Sequence, residues 1–173
     1  MENTKKYWIE FYKKNLTLEP SSFAKAVLPH IKGTLIDLGC GNYRDTNYFL
    51  FQGIDAIGID EVYGEVDKVE NYIKEFKSSK NVYARFFWHA VSRETQLAIL
   101  KWTKHYIFIE ARTTDDKHRP KVFKKHERNF VDVAQLVKDL KDNGFQIIKL
   151  EEGTGFSKFK GEDPFLVRCI AHK

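Results

Sequence analysis

The chain has 173 residues, of which 42% are apolar, 14% aromatic and 31% charged; it can close one hydrophobic core, and it is too apolar for a disordered chain. No apolar run approaches the ~18 residues of a membrane span, and the opening residues lack the apolar stretch of a secretory signal. The two cysteines, Cys40 and Cys169, exclude a disulfide framework and a zinc site and suit a reducing cytoplasm.

In chain order, Tyr7, Trp8, Phe11 and Tyr12 recur at one-turn spacing and predict an amphipathic helix. Glu19-Pro20-Ser21-Ser22 then supplies a turn and an N-cap for a second helix ending near Pro29. From residue 33 the rhythm changes. Residues 34–38 form a short apolar run before a glycine-rich turn, as a buried parallel strand does. A helix is predicted over 46–52, stopped by Gly53, and a second strand over 56–60. Residues 66–69 are a weak third strand, 82–88 a strong fourth, 92–102 a helix and 106–110 a fifth strand. Val133, Leu136, Val137 and Leu140 mark a helix stopped at Asn143-Gly144, and residues 145–150 and 165–171 are the last two strands. Strands alternating with helices imply an α/β, Rossmann-like, doubly wound and mostly parallel sheet of seven strands, the final one antiparallel, behind N-terminal helices. One domain is expected over 1–173: residues 1–32 as a helical cover, 33–173 as the ligand-binding core.

The site is expected at the carboxyl ends of the strands. Asp37 closes the first strand, and Gly39 and Gly41 follow it where the backbone must turn sharply beside a ligand. Asp60 closes the second strand about twenty residues on, where a carboxylate can accept hydrogen bonds from ribose hydroxyls. The position three after Gly41 is Arg44 rather than a third glycine, which weakens a pyrophosphate-binding reading.

Asp37-Leu38-Gly39-Cys40-Gly41 resembles motif I of class I S-adenosylmethionine-dependent methyltransferases. The resemblance implies S-adenosyl-L-methionine as cofactor, held by Asp37, Gly39, Gly41 and Asp60, with Asp45 matching an acid after the glycine loop in one branch. Tyr83-Ala84-Arg85-Phe86-Phe87-Trp88-His89, Glu110-Ala111-Arg112, His126-Glu127-Arg128 and Glu162-Asp163-Pro164 further resemble small bacterial enzymes associated with surface-glycan biosynthesis. The chain departs from the pattern where only 22 residues separate Asp60 from Tyr83. The helix there is expected to be trimmed or absent, and the adenine contacts fall to Val69, Glu70 and Asn71.

Methyl transfer from a sulfonium is an in-line displacement, so polar groups at the ends of the fourth and fifth strands should face the acceptor. His89, Glu110, Arg112, His126 and Arg128 are the catalytic candidates. His89 reads as a general base, or as a residue that caps the next helix or lies against the cofactor. Glu110 is catalytic, or paired with Arg85 or Arg112. Arg112 and Arg128 bind a phosphate or carboxylate, or are neutralised by Asp115 and Glu127. Residues 112–128 carry seven basic side chains against three acidic ones, either a solvated loop or an attractor of anionic substrates.

The implied activity is O-methylation of a sugar, phosphosugar or surface glycan by a cytoplasmic enzyme without a metal. Methylation of another small molecule or of RNA is the first rival, and a non-catalytic module that keeps the cofactor fold is the second. One basic stretch and no appended binding module argue against a nucleic-acid partner.

Overall fold

The computed structural model describes residues 2–14, 17–62, 69–75, 81–121 and 129–173. Helix α1 (Glu2–Lys14) is followed by α2 (Ser22–Val27), whose cap is Ser21: its hydroxyl accepts the Ala24 N–H. Strands β1 (Leu35–Leu38), β2 (Ala56–Ile59), β3 (Asn81–Arg85) and β4 (Tyr106–Arg112) run parallel, with α3 (Arg44–Phe51), α4 (Val69–Glu75) and α5 (Arg93–Trp102) between them. After α6 (Val133–Asp142), β5 (Gln146–Gly153) and β6 (Leu166–His172) close the sheet in the order β2-β1-β3-β4-β6-β5. Strand β6 is antiparallel to both its neighbours. This is the expected mostly parallel α/β sheet with a final antiparallel strand.

The strand count differs from expectation: the sheet has six strands among the described residues, not seven. Of the segment predicted as a third strand, residues 66–68 lie outside the described residues, and Val69 opens a helix instead. The short span between β2 and β3 explains the choice. Val69 and Tyr72 are buried one turn apart, and the Tyr72 ring meets Trp102 edge-on at 5.8 Å, a spacing that a helix puts on one face and a strand does not. The helix expected to be trimmed is therefore present as seven residues. Strand β3 ends at Arg85 because Phe86 adopts a left-handed φ of 54°, and β4 continues through Arg112 because β6 pairs with it as far as Leu166.

The two faces of the sheet divide the core. Ile36, Leu38, Val82, Ala84, Ile107, Ile109, Val167 and Cys169 point to one face and bury against α4, α5 and α6. Their alternates Leu35, Tyr83, Phe108 and Ile170 bury against α2 and α3 on the other. The two-residue period of a strand then fixes where the polar residues must go. Asp37, Arg85, Glu110, Arg112 and Arg168 all belong to the second set of alternates, and all but Arg168 lie near the carboxyl ends of parallel strands. No helix among the described residues is long and apolar enough to cross a membrane.

Candidate functional site

The turn after β1 is built for close approach. Gly39 and Gly41 have φ of +72° and +58°, and side chains there would collide: a Cβ on Gly39 would lie 2.5 Å from the Phe87 ring, one on Gly41 2.1 Å from Tyr12 Oη. The backbone N–H of Gly39 donates to Ile59 O at 2.8 Å and that of Gly41 to Asp60 Oδ2 at 2.9 Å. Asp60 Oδ1 accepts the Val62 N–H at 2.7 Å. Asp60 is thus aimed by backbone donors on both of its oxygens, half-exposed at the end of β2.

Asp37 is 2% exposed, and its Oδ2 accepts the Thr46 hydroxyl at 2.6 Å. Burial raises its pKa to about 7, against the opposing Thr46 bond and with the help of the neighbouring charges of Asp45 and Asp60. Asp45 is engaged otherwise. It accepts the Ser21 N–H (2.8 Å), the Ser21 hydroxyl (2.7 Å), the Tyr83 hydroxyl (2.9 Å) and Arg44 Nε (3.1 Å), tying α2 to the core. Burial opposes its ionisation, yet Arg44, Arg85 and these donors hold its pKa below the ordinary carboxylate value.

Register assembles the other half of the site. Arg85 pairs with Glu110 across β3 and β4, and Glu110 with Arg168 across β4 and β6, which sets three charged side chains in one row. Glu110, 0% exposed, meets Arg85 Nε at 2.8 Å and Arg168 Nε at 2.6 Å. Ser157, from the loop after β5, donates to Glu110 at 3.3 Å and accepts from Arg85 at 2.6 Å. Arg112, 7% exposed, is held by Asp116 at 2.7 Å and Glu162 at 2.9 Å; Asp115 is exposed and is not its partner. Asp116 is itself held in its charged form against burial by Arg112, the Phe165 N–H and Lys121. His89 lies buried in the turn after β3, and its Nδ1 accepts the Arg112 N–H at 3.3 Å. The cap of α5 is Ser92, not His89.

Many of these groups line one cavity of about 720 Å³, but Glu110, Arg168 and Asp116 stand behind its wall. Asp37, Gly39, Asp45, Asp60 and Glu70 lie toward the β1 and β2 ends, and Arg85, Phe86, His89, Arg112, Phe156 and Glu162 line it further along. Glu70, exposed on α4, accepts the Thr95 hydroxyl at 2.6 Å, whereas Asn71 is exposed and is not among the lining residues. His126 and Arg128 lie outside the described residues. Among the described residues no three His, Cys, Asp or Glu side chains gather as a metal site.

Ser21, Tyr83 and Arg168 carry much of this geometry and were not singled out as site residues. The signal for Arg168 is an arginine inside an apolar strand segment; Ser21 reads only as a helix cap and Tyr83 only as a strand residue. Phe86 adds a further mark: it is strained at the end of β3 and lies under the guanidinium groups of Arg85 (4.7 Å) and Arg112 (5.7 Å).

No family model matches the sequence, and no curated protein matches it. Solved structures do match in fold. A SAM-dependent methyltransferase from Archaeoglobus fulgidus is 17% identical at a TM-score of 0.64, over 96% of this chain and 100% of that one. The 1,6-didemethyltoxoflavin-N1-methyltransferase of Burkholderia thailandensis, with bound 1,6-didemethyltoxoflavin and S-adenosylhomocysteine, is 15% identical at 0.66, over 98% and 87%. Magnesium protoporphyrin IX methyltransferase from Synechocystis PCC 6803, with bound SAM, is 13% identical at 0.62, over 87% and 77%. The fold is therefore the Rossmann-like α/β fold shared with SAM-dependent methyltransferases.

Proposed function

We propose that this chain is an S-adenosyl-L-methionine-dependent methyltransferase of a small acceptor. The observation that carries the reading is the pair of carboxylates, Asp37 and Asp60, flanking a turn that only glycine can make, all at one end of a cavity large enough for a cofactor and an acceptor together. Asp37 would pair with the ammonium of the methionine moiety. Asp60, already aimed by Gly41 and Val62, would accept from the ribose hydroxyls. Val62, Val69 and Val91 give the cavity an apolar side suited to adenine, with Glu70 at its edge. Asp45 would act at one remove, by fixing the first turn of α3. The bound cofactor supplies an activated methyl group on a sulfonium.

The chain's own residues then have to align the acceptor, a contribution that reaches roughly 7–11 kcal/mol in well-oriented systems. His89 serves better as a donor than as a base. With Nδ1 accepting from Arg112, the neutral ring carries its proton on Nε2. Glu110 and Arg112 act as positioning residues: both are saturated by ion pairs, and Arg112 and Glu110's partner Arg85 lie over the Phe86 ring.

For the acceptor we propose a hydroxyl-bearing sugar or growing surface glycan, methylated on oxygen in the cytoplasm. Phe86, Phe156 and Phe159 line the cavity and offer flat faces to a sugar ring. Arg85 and Arg112, each already paired with a carboxylate, favour an uncharged sugar over a phosphosugar; an anionic acceptor would have to rely on His126 and Arg128. The test is a panel of free sugars, sugar phosphates, oligosaccharides and RNA, read by release of S-adenosylhomocysteine. Release with a sugar supports the proposal, release only with RNA overturns the acceptor, and no release by a protein that binds the cofactor points to a binding module.

A further inference from the structure

The sheet has two edges, and they are finished differently. Strand β2 is short and packed away: Ala56 is 8% exposed and Ile59 0%. Strand β5 runs for eight residues, and among the described residues no strand pairs with its outer side. Gln146, Ile148, Lys149, Leu150 and Glu152 are all exposed along it, Ile148 at 45% and Leu150 at 38%. Such an edge offers unpaired N–H and C=O groups, together with apolar surface, to another strand.

Proteins blunt open edges with bulges and lysines, and β5 has both. Its register against β6 slips between Ile147 and Lys149, so Ile148 is the extra residue and regular pairing runs from Lys149 to Gly153. Lys149, however, is not a lone charge. Glu151 lies two residues on, hence on the same face, and meets it at 2.8 Å. Opposite charges two apart on one strand are self-complementary about the residue between them, which is Leu150.

We propose that this edge binds the same edge of a second copy of the chain, β5 against β5, antiparallel about a two-fold axis through Leu150. A two-fold axis normal to the sheet keeps like faces together, so a residue can lie only opposite itself or one an even number of positions away. An axis through Lys149 sets Lys149 against Lys149, and one through Glu151 sets Glu151 against Glu151. An axis through Leu150 sets each Lys149 opposite the partner's Glu151, with Leu150 against Leu150 on the face that carries α6. The charges thus choose the register, attracting in one and repelling in its two neighbours. A contact of one strand is small beside the ~1,600 Å² of a standard stable complex, so the dimer forms and dissociates with concentration. No residue of β5 lines the cavity, and the proposal stands apart from the cofactor reading.

The experiment is sedimentation velocity of the full chain over a wide range of concentration, for the wild type, Lys149→Glu, Glu151→Lys and the double variant carrying both. The wild-type mass should rise with concentration from one chain toward two. Each single variant turns two attractive cross-strand pairs into repulsive ones and should weaken the dimer about tenfold. The double variant exchanges the charges, restores both pairs and should recover the wild-type dimer. It has the wild-type composition, and both side chains are 40% or more exposed, which guards against a folding defect in the single variants. A wild type that stays monomeric at every concentration overturns the proposal. So does a dimer that both single variants leave unchanged, which would place the contact on another face, or one that the double variant fails to recover.

Discussion

The two ends of the cavity are built in different ways. At the β1 and β2 ends, Asp37, Gly39, Gly41 and Asp60 come from two neighbouring strands and one turn, and backbone N–H groups aim the key carboxylate. At the β3 and β4 ends, the row Arg85, Glu110, Arg168 draws on three strands, and Glu162 reaches Arg112 across 50 residues of chain. The first end sets the carboxyl groups of Asp37 and Asp60 in the cavity wall. The second spends its charges on one another and presents aromatic faces. A cationic cofactor suits the first, and an acceptor held by shape suits the second.

The sharpest way to break this contrast is to unbalance the buried row. Glu110→Ala would leave Arg85 and Arg168 without their shared counter-charge, and removing one partner of a buried pair costs about 3–5 kcal/mol. Urea denaturation should show that loss. A change under 1 kcal/mol would mean that the row contributes little and that Glu110 is free for chemistry.

At the other end the expected loss is in binding rather than stability. Asp60→Ala should weaken S-adenosylhomocysteine binding by about 1.5–3 kcal/mol, the range for a hydrogen bond to a charged group. Calorimetry on the folded variant measures it, and unchanged affinity removes Asp60 from the site.

Asp37 offers a third contrast, through pH. Its pKa is raised to about 7 in the folded protein, so between the unfolded value near 4 and that point the native state holds a proton that the unfolded chain has released. This contribution to stability is complete at low pH and is lost as pH climbs through about 7. Asp37→Asn should flatten that part of the profile, by up to about 1.4 kcal/mol for each pH unit between the two values. An unaltered slope in urea titrations at pH 5 and 8 would show that Asp37 ionises normally.

The smallest effect is expected from Ser157→Ala, which removes a hydroxyl bridging Arg85 and Glu110 but leaves their ion pair intact. A loss of about 1 kcal/mol is expected by denaturation. A larger one would make the loop after β5 part of the row rather than its cover.

The same contrast explains what could be read from the sequence. Strand, acid, glycines and second acid occupy a contiguous stretch whose spacing reflects one strand–turn–helix unit, so Asp37, Gly39, Gly41 and Asp60 stood out. The helix–strand alternation likewise announced the sheet. Three things are not legible there. The short span before β3 fits either a strand or a helical turn at Val69, and only burial of Tyr72 against Trp102 decides between them. The partners of Glu110 and Arg112 depend on the register of β3, β4 and β6, because Arg168 and Glu162 are distant in sequence and local patterns carry no information about them. Tyr12 read as one residue of an aromatic stripe; that its hydroxyl meets Gly41 is a property of where α1 docks.

The central claim is that the carboxylate end is a site for S-adenosyl-L-methionine. Isothermal calorimetry of the full chain with S-adenosylmethionine, S-adenosylhomocysteine and NAD tests it most directly. The account predicts saturable one-to-one binding of both sulfur compounds and much weaker binding of NAD, whose pyrophosphate finds Arg44 where a third glycine would be needed. Binding of NAD in preference to either sulfur compound would contradict it.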